Sequence, residues 1–387
     1  MKSLSKNPMY HFLLLLTLSS AIGLQTWRTL FNNFAVEVVG MNGGNIGMIQ
    51  SVREIPGFLA ILAVFVLMII KEHKLSALSI LIMGCGVAAT GFLPSYGGLL
   101  LTTLVMSFGF HYYETTNQSL TLQYFDKDTA PLVFGRLRSA AAASNIGIGF
   151  ILFCVKPFFT YAILYFLIGA AIIVAAIIGL TRNPANRHIV PQRKKMVFRK
   201  KYWLFYVLTF FAGARRQIFV AFAVFLIVKK FHFSVQEITI LFIINNIIGY
   251  FINPVIGKSI VRFGERKVLS AEYFSLFFIF LSYAVVTSKF TVAILYILDH
   301  IFFNFSIAIR TYFQKVSDPE DIAPSMAVGF TINHIAAVFL PAIGGILWMV
   351  DYRIPFICGS IMSFISFAFI QKIRTKKQTA PKEKFQT

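Results

Sequence analysis

Two arginines occupy equivalent places in a duplicated pattern. Arg28-x-x-Phe31-x-x-Phe34-Ala35-Val36 recurs 188 residues later as Arg216-x-x-Phe219-x-x-Phe222-Ala223-Val224. A guanidinium presents a planar fork of donors that matches a carboxylate or a phosphate. Gln25, Arg28 and Asn32 fall on one helical face, and Thr209, Gly213 and Arg216 on another, with Arg215 beside them. Asn246, Gly249 and Asn253 share a third. Polar side chains of these types, set in apolar sequence, can hold a small solute. Arg28, Arg216, Gln25, Asn32 and Asn246 are the expected binding residues. The basic residues Arg28, Arg53, Arg215 and Arg216 outnumber Glu54, Glu114 and Asp299, which favours an anionic or zwitterionic solute.

The acidic residues could carry protons. Glu114 follows His111 on a face that continues to Gln118 and Thr121. Asp299 lies at the repeat position of His111, and Glu54 follows Arg53. A charge at the centre of a membrane helix costs about 2.5–3.5 kcal/mol on insertion scales, so each needs a partner, a ligand or water. Proton coupling through Glu114, Asp299, Glu54 and His111 is one reading. The other is internal pairing, of Arg28 or Arg53 with Glu54 or Glu114. His300 and His334 read as hydrogen-bonded core histidines, and Asn145 and Asn333 as links between helices. No His/Cys set has metal-ligand spacing, and neither H-E-x-x-H nor G-x-S-x-G occurs. Gly257-Lys258-Ser259 imitates the end of a phosphate-binding loop, but Ile252 stands where its first glycine belongs. No cofactor, no metal and no enzyme activity are expected.

The elements that position these residues follow from composition. Hydrophobic residues make up 57% of the chain and charged residues 13%, too apolar for a soluble domain. Spanning a bilayer takes about 20 apolar residues per helix. Twelve segments qualify: 11–36, 46–70, 75–94, 98–123, 134–155, 160–181, 203–228, 236–257, 268–287, 290–312, 323–349 and 353–371. The stretch 182–201 carries eight Lys and Arg and no acidic residue, with Pro184 and Pro191 breaking any helix. It divides a first half, 1–181, from a second, 202–371, and residues 372–387 form a polar tail expected to be disordered. A second repeat pair keeps the offset: Tyr124-Phe125, Pro131 and Asn145 match Tyr312-Phe313, Pro319 and Asn333.

Lys and Arg concentrate in the linker, the ends and alternate loops. The loops of the other side hold only Lys156, Lys229, Lys230, Lys289 and Arg353. That asymmetry predicts a multi-pass protein of the cell membrane with both termini in the cytoplasm. The net charge of +21 then touches lipid headgroups, not nucleic acid. The apolar N-terminal run continues to about Val39, as a retained helix does and a cleaved signal does not. Cys85, Cys154 and Cys358 lie in apolar stretches and imply no disulfide. Nothing in the sequence calls for an oligomer, and a monomer is expected.

Spans three, six and twelve have no ionisable residue in their interiors, and span nine has only Glu272. Every third span therefore reads as a lipid-facing support around a polar interior. Between spans eight and nine stands Gly257-Lys258-Ser259-Ile260-Val261-Arg262-Phe263-Gly264-Glu265-Arg266-Lys267. With twelve spans, a basic central loop and this segment, the chain resembles the major facilitator superfamily, whose loop motif is G-x-x-x-D-x-x-G-R-[RK]. Val261 replaces the aspartate of that motif, and Glu265 stands where an arginine is usual. The resemblance implies an all-α fold of two pseudo-symmetric six-helix bundles. It also implies gating roles for Gly257, Gly264 and Arg266. The expected function is alternating-access transport of a small solute, with protons as a candidate coupling ion. Efflux of amphipathic drugs, a non-transporting receptor or assembly protein, and a lipid-modifying membrane enzyme are the alternatives, the last without a catalytic constellation.

Overall fold

The computed structural model describes residues 7–41, 43–184, 189–193, 195–233 and 235–374. The expected tail falls largely outside them, as do Arg187 and Lys194 of the linker. With no water in hydrocarbon, backbone N–H and C=O groups must pair within the segment, so the apolar spans become helices. All twelve do, and every regular element among the described residues is helical.

We number them by span. α1 is Pro8–Glu37. α2 runs Gly43–Phe58, through a 3₁₀ turn Leu59–Leu62, into Ala63–Val66. α3 is Glu72–Thr90, α4 Tyr96–Tyr124, α5 Ala130–Val155 and α6 Tyr161–Thr181. α7 is Trp203–Gln217, a π-helical segment Ile218–Ala223, then Val224–Lys229. α8 is Val235–Phe263 and α9 Glu265–Val285. α10 is Lys289–Phe303, a 3₁₀ turn Asn304–Ser306, then Ile307–Val316. α11 is Ile322–Val350 and α12 Arg353–Ile370. Side chains of Asn7, Ser95, Thr160 and Ser288 cap the first turns of α1, α4, α6 and α10. Among the described residues, ten of the spans are long and apolar enough to cross a membrane.

Within each half the third helix packs on the fourth and sixth: α3 lies against α4 and α6, and α9 against α10 and α12. Between halves, α5 packs on α8, and α11 packs on α2 and α4. These contacts gather toward the end of the bundle that bears the linker. A Cβ at Gly135 would lie 2.5 Å from Asn253 O, and one at Gly257 2.5 Å from Pro131 O, so both glycines let backbones meet. Ser139 Oγ donates to Tyr250 O at 2.6 Å, and Gln314 Nε2 to Leu122 O and Phe125 O at 2.6 and 2.7 Å. Ile61 N donates to Thr331 Oγ1 at 2.8 Å. Farther from the linker, Asn145 Nδ2 meets Asn246 Oδ1 at 3.1 Å. Beyond that pair, a Cβ at Gly147 or Gly149 would meet nothing within 4 Å among the described residues. The contacts between halves thus gather at the linker end.

The linker is no free loop where it is described. Arg193 forms ion pairs with Glu320 and Asp321 at 2.8 and 2.9 Å, and Arg199 with Asp318 and Asp321 at 2.9 and 3.1 Å. Tyr202 Oη donates to Asp321 Oδ2 at 2.7 Å. Gln192 caps the start of α11 by accepting from Ala323 N. The hydrogen bond from Lys201 holds the Asp318 carboxyl below its ordinary pKa. That end of the strap therefore loosens only as pH falls through the depressed value. Asp321 is fully buried under this cover. Asp321→Asn leaves two guanidiniums short of a carboxylate, a loss of about 2 kcal/mol after allowance for their partial exposure. Limited trypsin digestion at Arg193 and Arg199 is expected to speed up severalfold in that variant, while Asp351→Asn, on the far side, leaves it unchanged. Equal digestion of the two would show that the strap does not depend on Asp321.

Candidate functional site

Arg28 lies mid-way along α1, yet it is exposed. Its electrostatic neighbours are Arg53 and Glu54 of α2, Arg216 of α7 and Tyr296 of α10. A mid-span arginine with such neighbours faces an open interior. Arg53 Nη2 pairs with Glu54 Oε1 at 2.6 Å, and its guanidinium lies over Trp27, 5.5 Å from the ring centroid. Arg216 has buried Nε and Nη2 atoms with no hydrogen-bond partner among the described residues. Glu54 is thus the one carboxylate common to the three guanidiniums, with Glu114 also acting on Arg216, and Arg216 still has donors to offer.

Two histidines close the floor of this group. His111 of α4 and His334 of α11 are 3% and 2% exposed, with ring centroids 5.0 Å apart. His334 Nε2 lies 3.9 Å from Glu54 Oε2. Gly57, one turn after Glu54, makes room: a Cβ there would come 2.4 Å from Cδ2 of His334 and 2.8 Å from Cδ2 of His111. Glu54 and His111 come from the first half and His334 from the second.

Nearer the linker end is a second charged layer. Glu114 takes a 3.4 Å hydrogen bond from Gln118. It stands within electrostatic reach of Arg138 of α5, Arg216 of α7 and Arg310 of α10. Arg138 donates to Asn304 O and Oδ1 at 2.9 and 3.3 Å, and Arg310 lies over Phe134.

The expected residues divide accordingly. Arg28, Arg216, Glu54 and His111 are brought together. Glu114 lies below them, among arginines other than Arg28 and Arg53, because Arg53 is taken by its neighbour Glu54. Gln25 Nε2 bonds Thr29 on the same helix, and Asn32 is exposed a turn farther along α1. Asn246 spends both ends of its amide, on Asn145 and on Phe242 O, so here it links helices. Asn333, as expected, does likewise by donating to Thr209 O. Asp299 is fully buried away from the central group, near Arg215, and neither of its oxygens has a hydrogen-bond partner among the described residues. Arg215, counted above with the lining residues, pairs instead with buried Glu272 at 2.7 Å. Its face of α7 turns to α9, away from the opening.

Of the residues for which the motif implied gating, Gly257 sits in the seam between halves. Gly264 turns the chain with φ +81°, a conformation that suits glycine. Arg266 donates to Gln371 Oε1 at 3.0 Å, tying α9 to α12. Glu265, at the departure from the motif, is buried and pairs with Lys315 of α10 at 2.8 Å. Arg138 escaped the sequence reading, although the Arg136-Leu137-Arg138 run in span five was its signal.

Known proteins match this architecture. The sequence profile of the Major Facilitator Superfamily matches residues 11–309 and, in a second alignment, 205–387. Multidrug resistance protein 1 of Bacillus subtilis (strain 168) is 27% identical over 253 residues. That match spans 62% of this chain and 64% of the relative, less than two thirds of its length. Among solved structures, a bacterial homologue of the iron transporter ferroportin in an outward-facing state superposes with a TM-score of 0.77 at 13% identity, covering 94% of this chain and 98% of that one. The transporter FucP in its outward conformation gives 0.77 at 15%, over 95% and 98%. The human organic anion transporter MFSD10 (TETRAN) gives 0.75 at 12%, over 94% and 99%. With its profile matched along nearly the whole sequence and its twelve helices in the same arrangement, the chain belongs to the Major Facilitator Superfamily of membrane transporters and is not an enzyme.

Proposed function

We propose that the protein is a secondary active transporter of the cell membrane that moves a small anionic or zwitterionic solute by alternating access. The observation that carries this reading is the imbalance at the cavity: Arg28, Arg53 and Arg216 share Glu54, and Arg216 keeps unpartnered N–H groups. Guanidiniums held so close repel one another unless an anion lies among them. The solute's carboxylate or phosphate supplies that charge. The test is flux into proteoliposomes. Labelled organic anions and phosphorylated metabolites should enter saturably, each inhibiting the other, and a permanently cationic amphipath should not. Saturable flux of the cation with none of the anions would overturn the assignment.

Efflux of amphipathic drugs is the second reading, supported by the 27% identity to the Bacillus multidrug resistance protein. The same flux experiment separates the two, because an arginine-rich cavity penalises a cationic drug.

The linker and both termini belong in the cytoplasm, on the Lys/Arg asymmetry. The state described here is then open to the outside. In a background lacking Cys85, Cys154 and Cys358, an impermeant thiol reagent added outside cells should label Lys230→Cys and miss Gln192→Cys. The reverse pattern would invert the orientation.

A further inference from the structure

Glu54, His111 and His334 carry ligand atoms that all lie within 4.8 Å of one another. Three helices contribute them, so their spacing along the chain gave no sign of a set. The histidines are built as ligands. His111 Nδ1 lies 2.9 Å from Ser107 O, and His334 Nδ1 lies 2.9 Å from Phe330 O. A carbonyl can only accept, so each ring carries its proton on Nδ1 and presents Nε2 as a bare lone pair. A backbone carbonyl on the other ring nitrogen is the usual support of a metal-bound histidine. Glu54 Oε1 is taken by Arg53, while Oε2 faces His334. Imidazole nitrogens with one carboxylate suit zinc, cobalt or iron, not calcium or magnesium. A tetrahedral ion needs its ligand atoms about 3.3 Å apart, from metal–ligand distances of about 2.0–2.1 Å. With His334 Nε2 3.9 Å from Glu54 Oε2 and all three ligand atoms within 4.8 Å, the set must draw in by up to about 1.5 Å to reach that spacing, a movement the flexible glutamate can lead.

The surroundings decide how such an ion can be bound. A bare dication would sit beside Arg28, Arg53 and Arg216, with Glu54 and the more distant Glu114 too few to offset them all. Coulomb repulsion opposes that. It is relieved if the ion arrives with negatively charged ligands of its own, which the arginines then hold. We infer that the cavity takes a divalent transition-metal ion as its complex with an anionic organic chelator, the metal on Glu54, His111 and His334 and the chelator on Arg28 and Arg216. The chelator half of this inference rests on the anion reading above; the metal half rests on the histidines. His334 belongs to the opposite half from Glu54 and His111, so rocking the halves apart at this level dismantles the site. An ion bound there is bound in one state and released in the other, as cargo requires.

Cobalt(II) is the probe, because its visible d–d bands report nitrogen ligation. Purified protein in detergent is titrated with Co²⁺ alone, with Co²⁺ and equimolar citrate, and with citrate alone by calorimetry. Expected are d–d bands, distinct from those of free cobalt citrate, appearing at least tenfold more tightly with citrate than without. They should vanish in His334→Gln and in Glu54→Gln, while His334→Gln still binds citrate alone, which shows a folded cavity. Absence of protein-dependent bands in both cobalt arms overturns the inference, as do bands that persist in both variants. Equal affinity with and without citrate overturns the chelator's part. Citrate that fails to bind wild type alone, beside histidine-dependent cobalt bands, counts against the anion clamp and leaves the metal ligands standing.

Discussion

Arg28→Lys and Arg216→Lys are each expected to weaken anion binding by about tenfold to a hundredfold, with the protein still folded. The estimate follows from the loss of one charge-assisted hydrogen bond, at about 1.5–3 kcal/mol. Lysine keeps the positive charge but replaces a planar fork with a single ammonium, which cannot grip a carboxylate at two points. Arg216 should show the larger effect, since its Nε and Nη2 have no other partner, whereas Arg28 is exposed to the opening and its loss is partly made good by water. Isothermal titration with the best anion from the flux screen reads the change, and an unaltered elution profile establishes the fold. Wild-type affinity in both variants would remove these residues from the binding site.

The second large effect is expected at Glu114. It stands near Arg138 of its own half and near Arg216 and Arg310 of the other. Were the halves to rock as proposed, it would keep the first and part from the other two, and a group whose charged neighbours change between two states meets the thermodynamic requirement for coupling. Glu114→Gln should abolish uptake driven by a proton gradient, by more than about tenfold, and leave substrate exchange without a gradient near normal. Uptake with its normal pH dependence would clear Glu114 of the role, and Asp299→Asn is then the variant to measure.

The fold was legible because lipid leaves an apolar segment one option, and because the repeat told where the second half begins. Helix ends were less so. The hydropathy of span eight fades at Gly257, yet α8 continues through Lys258 and Arg262 to Phe263, where Gly264 breaks it. Charges at a helix end lower hydropathy without ending a helix.

The pairing of Arg28 with Arg216 could be read from the repeat, since equal positions in the two halves face each other across a pseudo-two-fold axis. What could not be read was which neighbour claims each charge. Arg215 and Arg216 are adjacent, but a helix turns about 100° per residue, so one meets Glu272 on α9 and the other the cavity. Periodicity separates faces and does not name what each face meets. The meeting of His334 with His111 and Glu54 depends on how the halves pack, as does the docking of Arg193 and Arg199 on the turn that holds Asp318 and Asp321.

If the chain transports by alternating access as proposed, the three guanidiniums around Glu54 would also make the empty carrier sensitive to the membrane potential. Carrying one elementary charge through a 100 mV potential changes its energy by about 2.3 kcal/mol. Rocking the halves would move the opening, and with it the field, past a cluster of net positive charge. The unloaded return step would then displace charge, and a voltage that is negative inside would bias which way the empty cavity faces. An anion among the arginines would cancel much of that charge, and the loaded step would lose most of its voltage dependence. Solute and potential would thus act on different halves of the transport cycle, so that the electrical gradient sets how fast the site is offered again, while the solute's own gradient sets how often the offer is taken up.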